Sequence, residues 1–213
     1  MKKREKLKIS RLINKLWNIG HDNDDPDFDW WEWTCINLIK VIWKRKIATK
    51  VKKLAGNPKS LLNLGCGSSP MINMFRKTPY KVGIDINSDK IEFLRSRTDA
   101  ILMKGDITKP LQLEETFECI ICTEVIEHLG TGQLNKAFEN FGKYCDQKLI
   151  ISFPAAETFY TKWFETFLHG HLHHYSDNLS LKKLDLLCKA YNFRYIGSEH
   201  YFWDKILLYQ KIK

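Results

Sequence analysis

The sequence has no apolar run long enough to cross a membrane. Nowhere in its 213 residues do the roughly 18–20 consecutive apolar positions of a spanning helix occur. A secretory leader is also missing from its pattern. The N-terminus is basic, but neither an apolar stretch of roughly 7–15 residues nor a small-residue cleavage site follows it. Cysteine is sparse and scattered: Cys35, Cys66, Cys119, Cys122, Cys145 and Cys188 show no framework spacing. Several fall in apolar runs, where Cys acts as a small buried hydrophobe. They are read as reduced thiols in a cytosolic protein. Cys119 and Cys122 lie within a strand-like run and are read as core, not as a redox pair. The histidines His169, His171, His173 and His174 have no Cys or carboxylate pair nearby at zinc-ligand spacing. No internal repeat or low-complexity tract is present.

Three segments are strongly one-sided in charge. Residues 21–32 hold six acids and no Lys or Arg, whereas residues 40–53 hold seven bases and no acid. Residues 1–20 carry seven bases against Glu5 alone. The formal net charge is +9. Such blocks either pair with one another or meet an anionic partner.

Apolar residues make up 44% of the chain, enough for a packed core. Leu7, Leu12, Ile13, Leu16 and Trp17 recur at helical spacing among lysines, which predicts a basic amphipathic helix over 1–20. A second helix is expected from Asp29 to Leu54. Its tryptophans, Trp30, Trp31 and Trp33, would pack it against the sheet or anchor a lid at a half-wet boundary. Short apolar runs then alternate with helical stretches, the pattern of βαβ units and a parallel sheet. Strands are predicted at Ser60–Leu64, Lys81–Ile86, Ala100–Lys104, Phe117–Cys122 and Lys148–Phe153. Helical stretches are expected at Met71–Lys77, Asp89–Arg97, Glu124–Leu129 (one short turn), Gly132–Cys145 and Leu179–Ala190. Phe193–Ser198 and Lys205–Lys213 form a closing antiparallel pair. The expected fold is thus α/β: a Rossmann-like, doubly wound seven-stranded sheet, mostly parallel with an antiparallel last strand, plus N-terminal helices. Residues 1–53 form a helical extension, and 54–213 the main domain with an aromatic and His-rich insert at about 155–175.

The chemistry gathers at strand ends. After the first strand comes Leu64-Gly65-Cys66-Gly67-Ser68-Ser69-Pro70. Its glycines allow a tight turn and a close backbone approach to a ligand. Asp85 closes the second strand about 20 residues on, the spacing at which a carboxylate takes both hydroxyls of a ribose. The alternative role for Asp85 is helix capping, but Ser88 and Asp89 suit that better. Asp106 follows Gly105 at the third strand end, where a short polar side chain suits the exocyclic amine of a base and Ile107 its face. The fourth strand runs into Thr123-Glu124-Val125-Ile126-Glu127-His128. In an open α/β sheet all four ends converge on one crevice.

Taken together, LLNLGCGSSP, VGIDIN, GDI and FECIICTEVIEHL resemble the successive motifs of class I S-adenosylmethionine-dependent methyltransferases. The likeness is greatest to the quinone-pathway and small-molecule O-methyltransferase group. His171-Leu-His-His-Tyr-Ser176 and Tyr191-Asn192-Phe193 resemble that group's late pattern. The resemblance covers about Leu54 to Lys213. It implies S-adenosylmethionine as cofactor, with Gly65, Cys66 and Gly67 along its methionine part, Asp85 on the ribose and Ile86 against the adenine. Asp106 and Ile107 would contact the adenine, and Thr123 and Glu124 would sit beneath the sulfonium. Two positions depart from the pattern: Asn63 stands where an acid is usual, and Ser69 where a third glycine is. Asn63 can still bind the cofactor's amino group through its amide oxygen.

Glu127 and His128 are the catalytic candidates. Positions 124, 127 and 128 would share one face of a helical turn, with His128 as general base. The same E-x-x-E-H string resembles the metal site of small-RNA 3′-end 2′-O-methyltransferases, so a bound divalent metal is the alternative, with His169–His174 as source of a further ligand. No metal ligand is assigned on the primary reading. The implied activity is methyl transfer to an oxygen of a small-molecule, lipid-linked or glycan-linked acceptor. The helix over 1–20 would then rest on an anionic membrane surface, making the enzyme peripheral. RNA as acceptor is one alternative, and a non-catalytic cofactor-binding partner, suggested by Asn63 and Ser69, is another.

Overall fold

A computed structural model describes residues 30–67, 70–154, 181–201 and 204–212, with side chains from residue 42 onward. The expected helix over 1–20 and the insert at 155–175 lie outside the described residues. The chain divides into two compact units, Met1–Ile47 and Ala48–Lys213. The described part of the first is the N-terminal portion of a long helix, α1 (Trp30–Ala55).

The second unit is built on seven strands: β1 (Ser60–Leu64), β2 (Tyr80–Asp85), β3 (Ile101–Lys104), β4 (Phe117–Thr123), β5 (Cys145–Pro154), β6 (Phe193–Tyr201) and β7 (Asp204–Lys211). They lie in the order β3-β2-β1-β4-β5-β7-β6. The first five are parallel, and β7 runs antiparallel between β5 and β6. The order reverses at β1, which sits between β2 and β4. This is the switch point at which an open sheet leaves a crevice beyond its carboxyl edge.

The central strands are buried along nearly their whole length, as parallel strands covered on both faces must be. Leu62, Leu64, Val82, Ile84, Ile120, Cys122, Leu149 and Ile151 form one core face. Against it pack Leu134, Phe138 and Phe141 of α3 (Thr131–Tyr144) and Leu184 and Cys188 of α4 (Leu181–Ala190). Cys119 and Cys122 are both fully buried within β4, as the apolar run requires. The stretch predicted as a helix at Met71–Lys77 is a 3-10 turn, Pro70–Met74. Pro79 lies just ahead of β2, and the residue before a proline is pushed out of the helical region. The helix after β2, α2 (Ser88–Arg95), is capped by Asn87 and not by Ser88 or Asp89. The Asn87 side chain accepts from the amides of Asp89 and Lys90, the pairing an N-cap amide or carboxylate makes.

Part of the basic block finds partners within the second unit. Lys50 and Lys53 both pair with Glu199 on β6, at 2.9 and 2.6 Å. Lys52 donates to the Gly56 carbonyl and to Asn57, and Lys148 donates to the Ala55 carbonyl. Two ammonium groups thus meet the free carbonyls at the end of α1, where the helix dipole favours positive charge.

One bond set matters for the site. Asn140 of α3 is buried, and its amide donates to the carbonyls of Ile107 and Lys109, each at 2.8 Å. It ties the segment after β3 to the helix layer. Replacing Asn140 by Ala strands two carbonyls. Asn140→Ala is expected to lower stability by about 1–3 kcal/mol in urea unfolding and to speed amide exchange around residues 106–111.

Candidate active site

The loop after β1 is shaped by two left-handed glycines, Gly65 at φ 74° and Gly67 at φ 54°. The amides of Gly65 and Cys66 both donate to the Ile84 carbonyl on β2, at 2.8 and 3.0 Å, which turns the chain sharply. Gly65 is also required by space. A Cβ there would lie 2.3 Å from Cγ2 of Val125, the residue after Glu124. The glycine loop and the end of β4 therefore touch directly. Cys66 is buried in this turn, and burial together with the nearby Asp85 pushes its thiol up to about 12. It is a packing residue and not a nucleophile at neutral pH.

Asp85 is 8% exposed at the end of β2. One carboxylate oxygen accepts from the Gly67 amide at 2.7 Å and the other from the Asn87 amide at 2.9 Å. It fastens the glycine loop to the neighbouring strand end. A carboxylate offers about four lone-pair positions, so two remain for further donors such as ribose hydroxyls.

Ile86, next in the chain, is an exposed apolar side chain at the crevice rim. Ile107 is buried, 6% exposed, in the core cluster that also includes Leu111 and Phe117. Asp106 accepts from both the amide and the hydroxyl of Thr108, at 2.9 and 2.7 Å, and lies 3.8 Å from the Lys109 ammonium. Burial pulls its carboxyl upward, but the Thr108 bonds and Lys109 outweigh this and hold it below the ordinary range.

The end of β4 corrects one expectation. Glu124, Glu127 and His128 do not share a helical face. Glu124 has left-handed backbone, φ 55°, and only Ile126–His128 form a 3-10 turn. Glu124 is locked to β5: its amide donates to the Ser152 carbonyl at 3.0 Å, and its carboxylate accepts from the Ser152 hydroxyl at 2.8 Å. Such left-handed backbone in a non-glycine residue persists only where the surroundings hold it. Glu127 points into the protein and is 6% exposed. His128 is about half exposed, its Nε2 3.9 Å from a Glu127 oxygen. Thr123, half-buried, places its hydroxyl 3.9 Å from the sulfur of Met71.

Burial first, and then the charges of Glu124 and Asp204, push the Glu127 carboxyl up to about 9, against a backbone hydrogen bond that favours its charged form. Asp204, at the start of β7, is fully buried. Ser152 and Asp204 were missed in the sequence. The available signal was a lone polar residue in the apolar run Ile150–Pro154 and a lone acid opening the last strand.

Two buried acceptors in this region have no hydrogen-bond partner, Asn63 Oδ1 on β1 and Glu127 Oε2. Among the described residues, no group of three or more His, Cys, Asp or Glu is arranged to hold a metal ion. His169, His171, His173 and His174 lie outside the described residues. So does Ser69.

Comparison with known proteins bears on this arrangement. A family model described as a methyltransferase domain matches residues 40–197. The rat small RNA 2′-O-methyltransferase is 31% identical over 121 residues, covering 47% of this chain and 30% of that protein. The chain thus spans less than a third of that relative's length. Among solved structures, the magnesium protoporphyrin IX methyltransferase of Synechocystis PCC 6803 with bound SAH superposes at a TM-score of 0.66 and 14% identity, covering 97% of this chain and 94% of that one. The methyltransferase domain of bacterial CtHen1 does so at 0.60 and 13% identity, covering 78% and 95%. At these identities the structures speak for a shared fold.

The raised Glu127 carboxyl makes stability depend on pH. Glu127 favours the fold when protonated, so its contribution is complete below the ordinary carboxylate range and is lost as pH rises through about 9. Glu127→Gln has no proton to lose. Thermal unfolding is expected to show the variant gaining on wild type steadily between about pH 5 and pH 9. A gap independent of pH would mean that Glu127 ionises freely in the fold.

Proposed function

The chain belongs to the methyltransferase-domain family, and from that premise we propose that it moves the methyl group of S-adenosylmethionine to an oxygen of a small-molecule, lipid-linked or glycan-linked acceptor. The observation that carries this reading is the meeting of three strand ends at the switch point. The Gly65–Gly67 loop touches Val125 after β4, and its Gly67 amide is bound by Asp85 after β2.

The residues present fit the cofactor. The orphaned Asn63 oxygen is a buried acceptor without a donor, and Asp85 offers lone pairs beyond the two amides it already binds. In this reading Gly65, Cys66 and Gly67 line the methionine part, and Asn63 accepts from its ammonium group. Asp85 accepts the two ribose hydroxyls. Ile86 covers the adenine, with Asp106 and Ile107 beside it. Thr123 and Glu124 lie beneath the sulfonium. When bound, the cofactor supplies an already activated methyl carbon. The protein's work is then to hold nucleophile, carbon and sulfur in line and to exclude water. A hydroxyl nucleophile also needs a base. His128, half exposed beside Glu127, takes that role, and imidazole is the side chain best suited to moving a proton near neutral pH. An anionic membrane surface, met by the basic segment 1–20, would bring such an enzyme to a lipophilic acceptor.

A second reading has one observation in its favour. The rat relative that aligns over 121 residues is a small RNA 2′-O-methyltransferase, so an RNA ribose hydroxyl is the competing acceptor. Retention of RNA that weakens with salt would favour it, whereas partition onto anionic vesicles would favour the lipid-linked acceptor.

Asp85→Ala removes both a loop anchor and the ribose acceptor. It is expected to weaken S-adenosylhomocysteine binding by about 10- to 100-fold in titration calorimetry. Unchanged affinity would remove Asp85 from the cofactor site, and a wild-type chain that binds neither cofactor form would end the enzyme reading.

A further inference from the structure

The segment that leaves β3, Gly105 to Leu111, is neither helix nor strand, yet it is tied down along its length. At its start the Gly105 amide donates to the Asp85 carbonyl at 2.9 Å, and a Cβ at Gly105 would lie 2.8 Å from Cγ2 of Ile84. The end of β3 is thereby set against the end of β2. The Lys109 amide then donates to the Asp106 carbonyl at 3.0 Å, which closes a tight turn. The carbonyls of Ile107 and Lys109 both accept from the Asn140 amide at 2.8 Å, and that of Leu111 accepts from the Tyr144 hydroxyl. Asn140 and Tyr144 are both buried and stand one turn apart on the same face of α3. Turn carbonyls commonly face water. Here two buried side chains of a distant helix take them.

Within this turn the two carboxylate oxygens of Asp106 differ. Oδ1 accepts from the amide and the hydroxyl of Thr108, at 2.9 and 2.7 Å, and both its lone pairs are then used. Oδ2 lies 3.8 Å from the Lys109 ammonium, too far for a hydrogen bond. It is the oxygen left to accept from a ligand. Burial pulls the carboxyl upward, but the Thr108 bonds, Lys109 and Lys136 hold it below the ordinary range. Lys136 stands one turn before Asn140 on α3, so one stripe of that helix supplies the charge and both anchors.

We propose that Asn140 and Tyr144 are positioning residues for base recognition: they set the 106–111 turn so that Asp106 presents Oδ2, an acceptor alone, to the exocyclic amine of the cofactor's base. The inference rests on the cofactor reading above and adds to it which residues decide between a base with an amine at that position and one with a carbonyl. A carboxylate oxygen accepts from a 6-amino purine and repels the oxygen of a 6-oxo purine. That discrimination needs Oδ2 held at one place. Release of the Ile107 and Lys109 carbonyls lets the turn and Asp106 shift together. The loss then falls on the amine contact, while Asp85 keeps its two backbone amides and its grip on the ribose.

The test is calorimetric titration of S-adenosylhomocysteine and, separately, S-inosylhomocysteine, its 6-oxo counterpart, into the full chain. Wild type is expected to prefer the amine form by about 10-fold or more, the value of a hydrogen bond to a charged acceptor. Asn140→Ala should lower that preference by about 5-fold or more, chiefly through weaker binding of S-adenosylhomocysteine. Tyr144→Phe removes one anchor and almost no bulk. It should lower the preference by a smaller factor, and it carries the test if Asn140→Ala does not fold. A residue that only supports the fold weakens both ligands alike and leaves their ratio where it was. The wild-type ratio in every folded variant therefore overturns this inference and leaves the cofactor reading standing. Equal binding of the two forms by wild type also overturns it, since Asp106 then reads no amine. Failure of wild type to bind either ligand overturns the cofactor reading and this inference with it.

Discussion

The close approach of Gly65 to Val125 is the constraint on which the rest of the crevice depends. The end of β1 and the end of β4 meet with no room for a side chain between them, since a Cβ at Gly65 would sit 2.3 Å from a Val125 methyl. The left-handed turn at Gly65 lets its amide and that of Cys66 reach the Ile84 carbonyl. It also delivers the Gly67 amide to Asp85. Once that junction is set, the residues just after β4 are brought beside the loop. Glu124 is then pinned to β5 by Ser152, and Glu127 is buried.

Electrostatics at the two ends of this crevice differ for a physical reason. At the β2 and β3 ends each acid is met by donors: Asp85 by two backbone amides, Asp106 by Thr108 and Lys109. Asp106 is held below the ordinary carboxylate range, and Asp85 offers lone pairs beyond its two amide bonds. At the β4 end Glu124 accepts from the Ser152 hydroxyl, while burial and the charges of Glu124 and Asp204 push the Glu127 carboxyl up. The basic residues at the end of α1 are kept apart from both, engaged with helix carbonyls and with Glu199.

Much of this was legible in the sequence because strand-end motifs in a parallel sheet are local. Gly65, Gly67, Asp85 and Asp106 each follow an apolar run whose length announces a buried strand, and all four strand ends were placed within a residue or two. Elements set by capping or by proline were less legible. Asn87 displaced Ser88 and Asp89 as cap because its side chain reaches both Asp89 and Lys90 amides, and the stretch at Met71–Lys77 tightened into a 3-10 turn ahead of Pro79. The burial of Ile107 followed from Asn140, which draws the segment after β3 against α3 from 33 positions away.

The parallel α/β sheet, the glycine loop with its acid about 20 residues on, and the family these share follow from the order of residues along the chain. Periodicity and spacing are carried by neighbours in the chain, so no folded context was needed to read them. Packing in three dimensions separates Glu124, Glu127 and His128, one locked to Ser152, one buried, one exposed. It alone brought Asp204 to Glu127, because a strand inserted antiparallel between β5 and β6 sets its first residue at the carboxyl edge of the parallel strands. Desolvation and like-charge repulsion act through space, and no spacing along the chain encodes which carboxyl will keep its proton.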